Sequence, residues 1–255
     1  MIMSTIAETP ETGVNIARPA LTVLDRAQME QVHEQSLRVL SSVGVRVDSA
    51  PAVKRFAQAA GAKAVDGNRV HIPNELVDWA LKAAPSSLTV YDRLGEQAFR
   101  LPGETRFGIG TTALYYQDPM TDEVTPFSRK HMETTVRLGD TLHSFDCVST
   151  VGIVQDVPPE VLDLYATLEM TANTTKPLVV LVSDESSFPA VLDMLETLHG
   201  DLASRPFTLP YFNPISPLVM NEGTVDKMLI AIERGLPFIY SNYGMAGAST
   251  PITPA

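Results

Sequence analysis

The sequence predicts an α/β fold in two unequal parts, and three observations lead there. From residue 128 onward, four apolar runs, "FDCVSTVGI", "PLVVLVS", "FTLPYF" and "PFIYSNY", alternate with amphipathic segments. Strands that are apolar throughout and separated by helices are buried on both faces, which is the signature of parallel strands covered by helices. Residues 21–127 lack this alternation and carry short extended pieces among three helical stripes. The sequence then ends on "GMAGASTPITPA", a loop at the C-terminal end of a strand, where barrels keep their chemistry. An open doubly wound sheet shares the same element order. The closing loop favours the other solution: the first half, about four βα units, of a (β/α)8 TIM barrel, cut after strand 4 and preceded by a helix-and-hairpin region.

Taken in order, residues 1–20, "MIMSTIAETPETGVNIARPA", mix Thr, Pro, Glu and Gly with little to bury, and are expected to form a flexible arm. Asp25 caps a helix to about Ser42, with Met29, Val32, Leu37 and Leu40 near helical spacing. Ser49 caps a second helix with Pro51 in its first turn and Gly61 at its end. A third runs from about Asn74 to Ala84, before Pro85. "ALYYQD" and "VTPFS" flank a turn at "PMTDE" and read as a hairpin. Ser128 caps a helix to about His143. Later helices place Val161, Leu164, Tyr165 and Leu168 on one face, then Val191, Leu192, Leu195 and Leu198, then Val225, Met228, Leu229 and Ile232.

Composition narrows the functional classes. With 255 residues, 44% hydrophobic and 19% charged, the chain can bury a sizeable core. A formal net charge of −11 argues against nucleic-acid binding. No stretch approaches the roughly 20 apolar residues of a membrane span, and the start has no signal-peptide pattern, so a cytoplasmic protein with no membrane partner is expected. The single Cys147 excludes a cysteine-rich metal site and reads as a buried strand thiol. The five histidines stand too far apart for metal-ligand spacing, so no metal site is expected; His131 reads as a helix-surface residue.

"GIGTTA", residues 108–113, matches the dinucleotide fingerprint, but "TTALYYQDP" follows without a helical stripe. A glycine-rich strand pair near a ligand, a structural bulge and a nucleotide or S-adenosylmethionine site all remain open there. Asp118 and Asp122 flank the hairpin turn, where Asp is favoured locally. The strand ends carry Thr150 and Gly152, Ser183 and Asp184, Asn213, then Asn242 and Tyr243. This set is mostly polar and neutral, contains no evident nucleophile or base, and has Tyr115, Tyr116, Tyr211, Phe212 and Tyr240 nearby. Aromatic faces with neutral polar groups suit a methylated ammonium cation. Tyr211 and Tyr240 are expected mainly to pack the core.

The ordered segments "GTTALYYQDPMTDEVTPFSRKHMETTVRLGDTL", "TTKPLVV", "NPISPL" and "GASTPITPA", with the earlier "LRVLSSVGVRVDSAPAVKRFAQAAGAKAVDGNRVHIPNELVDWALKAAPSSLTVYDR", resemble the trimethylamine methyltransferase family. The likeness spans about residue 21 to the end. That family includes trimethylamine–corrinoid protein methyltransferases and related glycine betaine methyltransferases, similar in fold to a (β/α)8 barrel and nearly twice this length. The resemblance implies methyl transfer from trimethylamine or a quaternary amine such as glycine betaine to the cobalt of a corrinoid (cobalamin) carried by a partner protein, with no cofactor bound directly by this chain. It implies a homo-oligomer at full length, and a missing later half that holds the pyrrolysine of the trimethylamine enzymes. The truncated chain is expected to be inactive alone. Tyr115, Tyr116, Asn213, Asn242 and Tyr243 are the expected substrate-binding residues; the resemblance assigns no catalytic residue. Two rivals stand: a nucleotide- or S-adenosylmethionine-using α/β enzyme, and a non-catalytic half-barrel interaction module.

Overall fold

The computed structural model describes residues 22–250 and 252. The expected arm and most of "PITPA" lie outside the described residues.

Helix α1 (Arg26–Ser42) starts where the sequence places it: Asp25 accepts from the Gln28 amide, and the Gln28 side chain accepts from the Asp25 amide. This capping box satisfies two orphan donors of the first turn. The helix buries none of its residues, and Met29 and Val32 are exposed. Strand β1 (Val45–Val47) follows, then α2 (Ala50–Ala60) under its Ser49 cap. Strands β2 (Val65–Asp66) and β3 (Arg69–Val70) form a small hairpin, and α3 (Asn74–Ala83) ends before Pro85. Strands β4 (Leu88–Tyr91) and β5 (Gln97–Leu101) pair antiparallel, as do β6 (Tyr115–Gln117) and β7 (Val124–Pro126).

Helix α4 (Arg129–Thr141) opens the second part and is capped by Ser128. It leads into β8 (Val148–Ser149), α5 (Leu162–Asn173), β9 (Leu178–Val180), α6 (Phe188–His199) and β10 (Thr208–Phe212). Strand β11 (Val219–Met220), α7 (Glu222–Glu233) and β12 (Ile239–Tyr240) complete the described chain. Strands β8, β9, β10 and β12 form one parallel sheet in chain order, with Leu178 opposite both Val148 and Thr208, and Phe212 opposite Tyr240. Sequential parallel order requires each crossover to return on the same side, so the helices stack on one face. The main core lies between that face and α4–α7, around Met132, Val148, Met170, Leu178, Phe188 and Leu195.

The opposite face is closed at the N-terminal ends of the strands by the β4–β5 hairpin. Val90 and Phe99 pack on Leu209, and the amides of Tyr91 and Arg93 donate to the carbonyls of Pro206 and Thr175. The small sheet is completed from the second part: β11 pairs parallel with β1, Arg46 opposite Val219. Ser49 also donates to the Asp226 carboxylate on α7 at 2.7 Å.

Three sequence expectations are corrected. The buried face of α5 is Asp163, Ala166, Thr167, Met170 and Thr171, while Leu168 is exposed. The helix turns its polar side inward because Asp163 is needed there, accepting from the amides of Ser183 and Asp184 and from Ser187 Oγ. A buried carboxylate must itself be satisfied, and these three donors of the β9–α6 loop supply its partners. His131 is not a free surface residue: its Nδ1 accepts from the Ser128 amide, and its ring stacks on Tyr116 at 4.2 Å. Tyr240 does not pack the core; it stands 49% exposed on the helix-bearing face, where no described helix follows β12.

Among the described residues no helix is long and apolar enough to cross a membrane, and no group of three or more His, Cys, Asp or Glu is arranged to hold a metal ion.

Candidate functional site

Three of the expected site residues, Asn213, Asn242 and Tyr243, lie just past the C-terminal ends of parallel strands, while Tyr115 and Tyr116 lie on the β6–β7 hairpin. Asn213 directly follows β10 and is exposed; its carbonyl accepts from Thr224 Oγ1 at 3.4 Å. Asn242 and Tyr243 follow β12 and are exposed. Tyr211 and Tyr243 meet hydroxyl to hydroxyl at 2.8 Å. Alternation along a strand puts Leu209, Tyr211 and Ile239 on one face and Phe212 and Phe238 on the other. Leu209 and Ile239 pack with the β4–β5 hairpin, and Phe212 and Phe238 with the helices. Tyr211 therefore stands on the face opposite the helices, and Tyr243, in the loop past β12, meets it there. The Tyr211 bond holds the Tyr243 hydroxyl above the ordinary phenol range, so Tyr243 stays protonated and available as a donor.

The β6–β7 hairpin reaches the same end of the sheet from the other side. The Phe127 amide donates to the Leu114 carbonyl, and Gln155 Nε2 also donates to Leu114. A Cβ on Gly152 would lie 2.5 Å from the Phe127 ring, so only glycine lets the hairpin base sit this close. Tyr116 turns inward onto His131, whereas Tyr115, its neighbour on the strand, is 63% exposed. Of this adjacent pair, Tyr115 alone presents an open ring.

The glycine run is a spacer. Gly108 bridges Cys147, and Ala113 bridges Gly152, so residues 108–113 run parallel along the outer edge of β8. A Cβ on Gly108 would lie 2.8 Å from Cys147 Sγ. No helix follows Gly110; the chain enters β6 instead. The helix N-terminus that receives a pyrophosphate in the nucleotide fingerprint is therefore missing here, which corrects the nucleotide reading of "GIGTTA". Cys147 is partly buried, and burial, then Asp146, push its thiol up.

Two charged residues at the end of β9 were not singled out from the sequence. Asp163 is committed to the loop donors described above. Lys227 on α7 donates to the Val182 carbonyl at 2.8 Å; desolvation lowers its pKa, while Glu185, Asp163 and Asp184 pull the other way. Glu185 lies against Gly223, in the first turn of α7. Loops wrapped this tightly leave little signal in a linear reading, since each partner is distant along the chain. Asp118 proves to be a local turn former: bonds from the Met120 and Thr121 amides hold its carboxyl below the usual range.

The strand ends thus offer aromatic faces, hydroxyls and amides, with Asp184, Glu185 and Lys227 adding charge at the end of β9, an arrangement that can hold an organic cation. Comparison with known proteins gives that arrangement its context. The chain is 26% identical over 235 residues to trimethylamine methyltransferase MttB of Desulfitobacterium hafniense (strain DSM 10664 / DCB-2), covering 89% of this chain and 47% of the relative. It is 23% identical to glycine betaine methyltransferase of D. hafniense (strain Y51), covering 93% and 50%. It is 25% identical to proline betaine:corrinoid methyltransferase of Eubacterium limosum, covering 88% and 48%. The chain spans about half the length of the curated relatives it matches. The family model described as trimethylamine methyltransferase (MTTB) matches residues 4–255, and the chain belongs to that family.

Proposed function

We propose that this chain forms the first four βα units of a (β/α)8 barrel, residues 128–255, behind an N-terminal region of residues 21–127. In that reading it serves a cytoplasmic methyltransferase moving a methyl group from a methylated amine to a corrinoid borne by a partner protein. The observation that carries this reading is the family match across residues 4–255. The named activities of the relatives support the substrate range: trimethylamine, glycine betaine and proline betaine.

Amide and phenol oxygens are weak ligands for a transition metal, so these strand ends fit a corrinoid brought by its own carrier. When docked, the corrinoid supplies a strongly nucleophilic cobalt(I) that takes the methyl group. The chain's own task is positioning. The Tyr115 ring holds the cationic methylammonium by its face, while Asn213, Asn242 and Tyr243 orient the rest of the molecule. Tyr116, bound to His131, fixes the hairpin that carries Tyr115. Closure of the mouth by the carrier protein excludes water and strengthens these contacts. A quaternary nitrogen leaves as a neutral amine and needs no proton, whereas a free tertiary amine requires one.

The test is methyl transfer. The protein is mixed with a corrinoid protein reduced to cobalt(I) and either trimethylamine or glycine betaine, and the demethylated amine is followed by mass spectrometry. Formation of dimethylamine or dimethylglycine supports the reading. Thermal protection by S-adenosylmethionine or a nucleotide, with none by either amine, overturns it. Within the site, Tyr115→Ala is expected to weaken methylammonium binding about tenfold, the range of a partly desolvated cation–π contact. Tyr116→Ala should chiefly lower the melting temperature.

A further inference from the structure

We infer that Gln155, in the loop past β8, is the positioning residue for the Tyr115 ring: it ties both arms of the β6–β7 hairpin at their base and so fixes where that ring meets a methylammonium group. The inference rests on the functional reading above, which gives Tyr115 the cation, and adds a residue that acts on the cation only through the hairpin.

Tyr115 is 63% exposed, so its place is set mainly by the backbone that carries it. The hairpin is short, with three residues in each strand, and a two-stranded ribbon is marginal without outside support. That support comes on both flanks of Tyr115. Beyond it, the Tyr116 ring stacks on His131 at 4.2 Å. Before it, the Leu114 carbonyl takes two donors, the Phe127 amide at 3.0 Å and Gln155 Nε2 at 2.6 Å. The Gln155 amide donates in turn to the Phe127 carbonyl at 2.8 Å. One residue therefore bonds to the last residue before β6 and to the first after β7. Two residues earlier in the same loop, the Ile153 amide donates to the Ala113 carbonyl at 3.0 Å, which extends the grip along the chain entering the hairpin. The backbone bonds would survive most substitutions. The bond to Leu114 would not, because a carbonyl needs a donor and only a side chain of this reach that ends in one supplies it. Gln155 is itself exposed, so packing does not account for a polar end committed at 2.6 Å.

The experiment is calorimetric titration of the chain with tetramethylammonium for the wild type, Gln155→Met, Tyr115→Ala and the double variant. Methionine keeps the length of the side chain and the backbone amide and removes the donor; at an exposed position the fold should tolerate it. Gln155→Met is expected to weaken binding about threefold, the lower range of one neutral hydrogen bond. In the Tyr115→Ala background the same change should cost nothing further, since its effect passes through the missing ring. An equal loss in both backgrounds would show that Gln155 acts elsewhere and overturn the inference. No loss with Gln155→Met, while Tyr115→Ala weakens binding, overturns the inference alone and leaves the functional reading standing. Tyr115→Ala without effect, or a wild type that does not bind the probe, removes Tyr115 from the site and the inference with it. Without ligand, hydrogen exchange at the Phe127 amide should rise in Gln155→Met; unchanged exchange there would show that the bond holds nothing and overturn the inference as well.

Discussion

The two parts of the molecule hold themselves together differently. In the N-terminal part, β1, β2 and β3 are two or three residues long, and the core around Val45, Val47, Ala52 and Val70 borrows Val225 from α7. Helix α1 has no fully buried residue and meets the small core only near its end, where Leu40 packs and its carbonyl accepts from the Ile72 amide. An apolar groove of about 320 Å³ remains between α2, α3 and α7, lined by Phe56, Trp79 and Met228 among others. The parallel part has a continuous core in which Phe188, Met132 and Met170 are fully buried. Stability here is expected to be uneven, with low-energy opening in the first part and global unfolding set by the second. Neither part is self-sufficient: β1 needs β11, and the concave sheet face needs the β4–β5 hairpin.

The sharpest way to break this contrast is to cut volume from each part. Phe188→Ala should cost about 3–5 kcal/mol in denaturant unfolding, as for other fully buried aromatics. Met29→Ala on α1 should stay within about 0.5 kcal/mol, because an exposed side chain has little packing to lose. Similar losses at both positions would show that α1 is covered by something and that the contrast is false. Asp163→Ala comes next. Three donors lose a charged acceptor, two of them in exposed residues, and about 2 kcal/mol is expected from the lost bonds; hydrogen exchange should rise first in the β9–α6 loop. The smallest effect is a pH dependence. Burial, and then the charge of Arg93, hold His199 below the ordinary histidine range. The unfolded chain takes up that proton near pH 6.5, roughly the unperturbed value, so the stability contribution is whole above that pH and is lost as pH falls through the lower folded value. His199→Gln should flatten this part of the acid slope in thermal melts; an unchanged slope would place the titrating group elsewhere.

The helix starts in both parts were legible because their signals are local. Ser128, Asp25 and Ser49 reach amides three residues away, so their caps are written in short stretches. The β-branched runs of β9 and the aromatic-flanked β10 are strands in any context that buries them. The expected site residues do fall at strand ends or on the hairpin beside them. What escaped was orientation. Tyr115 and Tyr116 are equivalent in composition, yet only the fold turns one outward and the other onto His131. Leu168 continues the stripe of Leu164, which does pack on the main core, yet it is exposed, because apolar periodicity does not reveal where a loop needs an acceptor.

The sequence by itself determined the element order, the helix starts, the alternation that makes a parallel sheet and the family resemblance, since each depends on residues close together along the chain. Only the tertiary structure decided that β1 completes its sheet with β11, that Asp163 faces inward, that "GIGTTA" lies along β8 without a helix behind it, and that Tyr211 meets Tyr243. Each of these joins residues distant in sequence, and which distant groups meet is set by how the crossovers return each strand beside the last.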